Sequence, residues 1–175
     1  MKRIAWAITG AGHLLRQCAD FLLTYENLDL FLSRAAEEVI RMYRLKSIIE
    51  GRRVIYDRAA SAPVVGQLAR GTYGVLIIAP ATSNSVAKFV YGISDSLVSN
   101  MFAQAGKSQV PIIVLPTDLA PEMDTEIPSG KIIKVYPRPV DLENTEKLRG
   151  FPGVTVVTSL EELKKQLGRY AQAEG

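Results

Sequence analysis

The hydrophobic residues of the chain fall into short blocks separated by glycine, proline and small polar residues. Ile4-Ala5-Trp6-Ala7-Ile8 is unbroken and ends in Thr9-Gly10-Ala11-Gly12. Continuous apolar blocks of this length mark strands covered on both faces, as in parallel sheets packed between helices. Leu14, Leu15, Cys18, Ala19, Leu22 and Leu23 then recur at helical spacing. A second block, Leu28–Leu32, is interrupted only by Asp29, and Ser33 precedes a helical stripe through Ala36, Val39, Ile40 and Tyr43. Val54-Ile55-Tyr56 predicts a third strand and Val64–Arg70 a short helix. Val75–Ala79 is the clearest buried strand, with Pro80 expected to stop it. Val86–Tyr91 and Ser94–Ala105 predict helices, and Val110–Leu115 a strand stopped by Pro116.

Strand and helix alternate along this stretch, which predicts an α/β fold: a doubly wound parallel sheet in a three-layer, Rossmann-like or flavodoxin-like sandwich. After Pro116 the pattern weakens. Thr117–Gly130 carries Pro121, Pro128 and Gly130 among four acids and reads as a long loop, a length that usually marks function. Ile132–Tyr136 predicts a strand, Val140–Arg149 a helix, Val154–Val157 a last strand and Ser159–Leu167 a closing helix, with Ser159 and Glu162 spaced as a capping box.

At 175 residues the chain is expected to form one domain over residues 1–175. Its 47% hydrophobic and 22% charged residues exclude a disordered chain. The apolar runs are too short to cross a bilayer, so no membrane contact is expected. Cys18, the single cysteine, excludes an internal disulfide and a thiolate zinc cluster. Lys2-Arg3 before Ile4–Ile8 is too short an arrangement for an export signal, and a cytoplasmic location is expected.

The net charge of +3 is too small to argue for nucleic acid. Its distribution is uneven. Residues 34–70 carry eight basic against four acidic side chains, and residues 118–146 three against seven. Residues 71–117 carry only Lys88, Asp95 and Lys107, so this stretch is expected to be interior or to line a pocket.

Ligands of open parallel sheets bind beyond the carboxyl ends of the strands, which directs attention to Thr9–His13, Ser33-Arg34, Pro80–Ser85 and Pro116–Asp118. Gly10, Ala11, Gly12 and His13 lie where a tight turn would present helix-start amides to a phosphate. Leu15 stands where the dinucleotide fingerprint needs its third glycine, and Ser33-Arg34 where it needs an acid, which disfavours NAD binding. Ser33 is either a phosphate contact or a helix N-cap. Pro80-Ala81-Thr82-Ser83-Asn84-Ser85 offers small hydrogen-bonding groups suited to a flat heteroaromatic ligand, or else a capped turn. In Gly92-Ile93-Ser94-Asp95-Ser96-Leu97-Val98-Ser99-Asn100, the spacing puts Asp95 and Ser99 on one helix face, and Ser96 and Asn100 on another. Trp6 and Cys18 read as core. His13 either touches phosphate or caps a helix, and Tyr91 is either core or a ring-stacking residue.

Together these segments resemble the flavoprotein family of homo-oligomeric, flavin-containing cysteine decarboxylases. The likeness rests on the loop at Pro80–Ser85, the Gly92–Ser99 segment, the start Ile8-Thr9-Gly10-Ala11-Gly12 and the strand end Leu32-Ser33, in that family's order over about residues 3–118. The resemblance implies non-covalent FMN, with its phosphate near Gly10–His13 and Ser33. Pro80, Ala81, Thr82, Ser83, Asn84, Asp95, Ser96, Ser99 and Thr117 are the other implied cofactor-binding residues. It also implies a homo-oligomer with flavin sites near subunit contacts. The family's decarboxylases carry a histidine before the fourth strand and a Pro-x-Met-Asn stretch after the fifth. Pro63–Leu68 has no histidine and Leu115-Pro116-Thr117-Asp118 replaces the second element, which argues against cysteine decarboxylation.

Val135–Asn144 and Phe151–Val154 resemble the archaeoflavoprotein branch, whose bacterial relatives are dihydromethanopterin reductases of the acceptor type. That branch implies an FMN-dependent oxidoreductase passing a hydride to a dihydropterin substrate, with NAD(P)H or a ferredoxin-like protein as electron donor. Asp95 is a candidate polar anchor, and no side chain is assigned as the acid. An FMN electron carrier served by a ferredoxin-like partner is the first alternative. A non-redox prenyltransferase or decarboxylase is the second.

Overall fold

β1 (Arg3–Ile8) forms the middle of the sheet because every residue from Ile4 to Ile8 is buried, some on each face. A computed structural model describes residues 2–58 and 65–173. On one side β1 pairs with β2 (Leu28–Leu32), which pairs with β3 (Val54–Tyr56). On the other it pairs with β4 (Tyr73–Ala81), followed outward by β5 (Ile112–Pro116) and β8 (Val154–Val156). All of these pairs are parallel, and the order is β3-β2-β1-β4-β5-β8.

Strand side chains alternate between two apolar layers. Ile4, Trp6 and Ile8, with Leu30, Leu32, Ile77 and Ala79, meet α1 (Leu15–Leu22), α2 (Arg34–Met42) and α7 (Leu160–Ala173). Ala5 and Ala7, with Phe31, Leu76, Ile78 and Val114, meet α3 (Gly66–Ala69), α4 (Ser83–Tyr91), α5 (Leu97–Lys107) and α6 (Pro139–Arg149). Each fully buried aliphatic side chain in these layers contributes roughly 1.5–3 kcal/mol. Trp6 is fully buried, with its indole N–H donating to the Ala79 carbonyl at 2.9 Å. Cys18 is buried on α1, and burial pushes its thiol pKa up, so it acts as a small apolar side chain.

The doubly wound expectation holds, with local corrections. Val64 lies outside the described residues, and α3 covers only Gly66–Ala69. β4 does not stop before Pro80 but continues to Ala81 through a cis Ala79–Pro80 bond. Proline is accommodated because the β4–β5 register shifts between Ile78 and Ala81, leaving no ladder position that needs its missing N–H. β5 likewise keeps Pro116 as its last residue. α5 starts at Leu97, not Ser94: Ser96 and Ser99 exchange hydrogen bonds as a capping box, which fixes the boundary and leaves Asp95 outside the helix. The expected loop after Pro116 contains β6 (Met123–Glu126), which forms an antiparallel hairpin with β7 (Ile132–Val135) apart from the main sheet.

At the amino end of the sheet, Asp29 is fully buried and ties neighbouring strands together. It accepts hydrogen bonds from Arg3 Nε at 2.7 Å, Arg53 Nη1 at 3.0 Å and the Tyr73 hydroxyl at 2.7 Å. These residues lie at the starts of β1, β2 and β4 and, for Arg53, immediately before β3. At the carboxyl end, the Thr82 hydroxyl caps α4 by accepting from Ser85 N at 3.2 Å. Thr82→Ala should cost about 1 kcal/mol of stability in a urea titration followed by the fluorescence of the buried Trp6. An unchanged midpoint would remove the cap as a stabilising contact.

Candidate functional site at the strand tips

The chain leaves β1 toward β2 on one side and later returns to β4 on the other, so the crevice between the β1 and β4 tips is the topological switch point. Thr9 joins these tips. Its hydroxyl donates to the Pro80 carbonyl at 3.0 Å and accepts from Thr82 N at 2.8 Å. The α4 N-terminus is thereby held beside the Gly10–His13 turn.

A cleft of about 360 Å³ opens here, within the range of small-molecule sites. Thr82, Ser83, Thr117 and His13 supply polar groups; Tyr43, Met123, Ile127 and Val135 supply apolar walls. The first turn of α4 carries no acid, so its dipole and amides favour an anion.

The β6–β7 hairpin closes one side. His13 Nδ1 lies 3.2 Å from the Thr125 hydroxyl, Arg16 pairs with Glu126 at 3.1 Å, and the Tyr43 hydroxyl donates to the Glu126 carbonyl at 2.7 Å. Burial lowers the His13 pKa against the opposing pull of Asp118, which favours the neutral ring. Burial and Glu126 raise that of Tyr43, which keeps its phenol protonated as the donor. The two glycines serve packing here. A Cβ on Gly10 would overlap that of Ala35 at the start of α2, and one on Gly12 would overlap the Tyr43 ring, whose Cζ would stand 2.7 Å away.

Of the residues expected at a cofactor site, the cleft brings together Ala11, Gly12, His13, Thr82, Ser83 and Thr117. Gly10 is half-buried, with Ala35 packed on the side where a Cβ would stand, and Ser33 is the N-cap of α2, accepting from Ala36 N at 3.0 Å. Pro80 and Ala81 are buried in β4, whereas Asn84 is exposed on α4. Asp95 is exposed and bonded to Lys88 Nζ at 2.8 Å, which holds its carboxyl pKa low. It does not share a helix face with Ser99, and it does not line the cleft. Ser96 and Ser99 spend their hydroxyls on capping α5, whose first amide, Leu97 N, also donates to Asp57 at 3.1 Å. Tyr91 is not core: it is 60% exposed, with the Lys147 ammonium over its ring. His13 makes no helix cap, since Leu14 is the N-cap of α1.

Sequence reasoning missed Tyr43, Met123, Thr125 and Glu126 as cleft residues. Tyr43 sat at the end of a helical stripe, with nothing to mark it as a cleft residue. Met123, Thr125 and Glu126 lay in a run that read as loop, and an Ile-Pro-Ser-Gly turn ahead of Ile132-Ile133 was the available hairpin signal. Among the described residues, no group of three or more His, Cys, Asp or Glu is placed to hold a metal ion, and no helix is long and apolar enough to cross a membrane.

A parallel sheet wound both ways around β1, with a hydroxyl-lined cleft at its switch point, defines a protein of the nucleotide-cofactor-binding class. The chain matches the family model described as Flavoprotein over residues 1–174 and belongs to that family. It is 42% identical to a solved structure, Burkholderia xenovorans DmrB in complex with FMN, described as a cubic protein cage for redox transfer. The superposition has a TM-score of 0.89 and covers 99% of this chain and 98% of that one. It is also 42% identical, over 73% of its length, to the dihydromethanopterin reductase (acceptor) of Methanosarcina mazei. With the enzyme of the same name from Methanocaldococcus jannaschii it shares 45% identity over 66% of its length. The matched segment spans 59% and 53% of those two reductases, respectively.

Proposed function

We propose that the protein binds FMN in the cleft between the β1, β4 and β5 tips and uses it to reduce a dihydropterin. The observation that carries this reading is the full-length likeness to an FMN-bound protein, joined to a cleft whose side chains suit that cofactor. Ser83 provides a hydroxyl, the α4 N-terminus capped by Thr82 provides amides for the phosphate, and Tyr43, Met123 and Val135 provide walls for a flat ring system. When bound, FMN supplies the two-electron redox centre from which a hydride can pass to a carbon–nitrogen double bond.

The chain's own part is to align the two ring systems and shield them from water. The hairpin, tethered through Thr125 and Glu126, is the element that does the shielding. His13, held neutral by burial, is a cleft group able to relay a proton, taking one from water at one ring nitrogen as it releases the other toward a substrate nitrogen. The donor is a nicotinamide or a ferredoxin-like protein. The exposed Ile132, Ile133, Tyr136 and Val140, on β7 and in the chain that follows it, are apolar side chains available for contacts between copies of the chain in a homo-oligomer.

Anaerobic spectroscopy tests the reading. Protein loaded with FMN and photoreduced should regain its yellow colour when a dihydropterin is added, with one tetrahydropterin formed per flavin. Protein that stays bleached with dihydropterin, yet is reoxidised by a dye or a protein acceptor, would make it an electron carrier instead.

A further inference from the structure

Two acids line the cleft, Asp118 and Glu126. Glu126 is committed to Arg16 through its carboxylate and to Tyr43 through its carbonyl. The Asp118 carboxylate makes no side-chain hydrogen bond among the described residues, although its backbone is firmly held. Thr117, just before it, donates its N–H to the Ala81 carbonyl at 3.0 Å, and the Thr145 hydroxyl of α6 donates to the Asp118 carbonyl at 3.4 Å. The Asp118 backbone therefore stands at a fixed place on the cleft wall, and its half-buried side chain lies within electrostatic reach of His13 and Arg138. Arg138 is itself engaged by Asp141, with Nε and Nη2 donating at 2.9 and 2.8 Å. What remains at Asp118 is a pair of acceptor oxygens with no donor of their own.

The chemistry of the two ring systems decides which of them meets this group. The pyrimidine edge of a flavin presents acceptor, donor, acceptor, and its two carbonyls oppose a carboxylate. The pyrimidine edge of a pterin carries an exocyclic 2-amino group beside the ring N3–H. These two parallel donors match the two oxygens of a carboxylate. Resting on the dihydropterin reading above, we propose that Asp118 is the specificity-determining residue that receives the 2-amino-4-oxopyrimidine edge of the substrate. This assigns the acceptor role to the tip of β5, not to Asp95, whose carboxylate is bonded to Lys88.

The test compares a dihydropterin with its 2-desamino analogue as oxidants of the photoreduced protein, with rates expressed per bound flavin. Wild type should prefer the dihydropterin by roughly 100-fold in kcat/KM, because the analogue leaves a carboxylate oxygen unpaired. Asp118→Asn and Asp118→Ala should reduce that preference to roughly threefold or less, the loss falling mainly on KM for the dihydropterin. The wild-type comparison needs no altered protein, so it holds even if a variant folds poorly. If wild type reduces both compounds equally well, or the variants keep the full preference, the Asp118 assignment is overturned and the reductase reading survives. If wild type oxidises with neither compound, the reductase reading falls and the assignment falls with it.

Discussion

Replacing Asp29 by asparagine should destabilise the protein by about 2–3 kcal/mol, although the change is isosteric and far from the cleft. The carboxylate is fully buried and accepts from two guanidiniums and a phenol. Asparagine offers one acceptor oxygen in place of two and turns an N–H₂ toward groups that are themselves donors. The arginines are about half exposed and recover hydration, which keeps the cost below that of stranding a fully buried charge. For a chain of this length the loss corresponds to a fall in Tm of roughly 5–10 °C. Urea unfolding followed by Trp6 emission measures it. A shift below about 0.5 kcal/mol, the scale of an ordinary surface substitution, would show that the cluster does not hold the strand starts together.

Gly12→Ala should weaken FMN binding by roughly tenfold to a hundredfold, as expected when overpacking strain adds to one lost hydrogen bond. The added methyl group would collide with the Tyr43 ring. That ring has to move, and its bond to the Glu126 carbonyl goes with it, which loosens β6 on the cleft wall and leaves it held through Thr125 and the Glu126 carboxylate. Gly106→Ala is the matched control, because nothing lies within 4 Å of a Cβ there and the site is helical. It should leave FMN affinity unchanged and raise stability by about 0.5–1 kcal/mol. Fluorescence titration of the apoprotein with FMN reads both variants, and a Gly12→Ala protein that binds within twofold of wild type would detach the glycine from the cleft's architecture.

The central sheet was legible in the sequence because burial on both faces leaves continuous apolar blocks, and each of the strands beginning at Ile4, Leu28 and Val75 announces itself that way. Pro80 misled because proline removes a ladder donor, and only the irregular β4–β5 register shows that no donor is needed there. β6 was invisible because a short, half-exposed strand of Met-Asp-Thr-Glu carries no apolar stripe; its place is set by Arg16 and Tyr43, distant in sequence. The same holds for the site. Thr82, Ser83, Thr117 and the Ala11–His13 turn could be named because strand-end loops are where ligands of this fold gather. Asp118 appeared as the end of a strand-tip loop and as a departure from a family pattern, but not as a substrate contact, since sequence alone does not reveal which of two cleft acids is already paired. Asp57 left no signal at all: its bond to Leu97 N depends on the third strand ending opposite the start of α5.

The two borders of the main sheet have a consequence for how the chain can contact another chain. β3 and β8 are each three residues long, and each pairs on one side only. A ribbon that brief offers an incoming backbone too few free amides to lengthen the sheet sideways, which guards against fibril-like stacking. Contact along the main sheet is thereby turned away from its borders and toward side-chain surfaces, where geometry is specific.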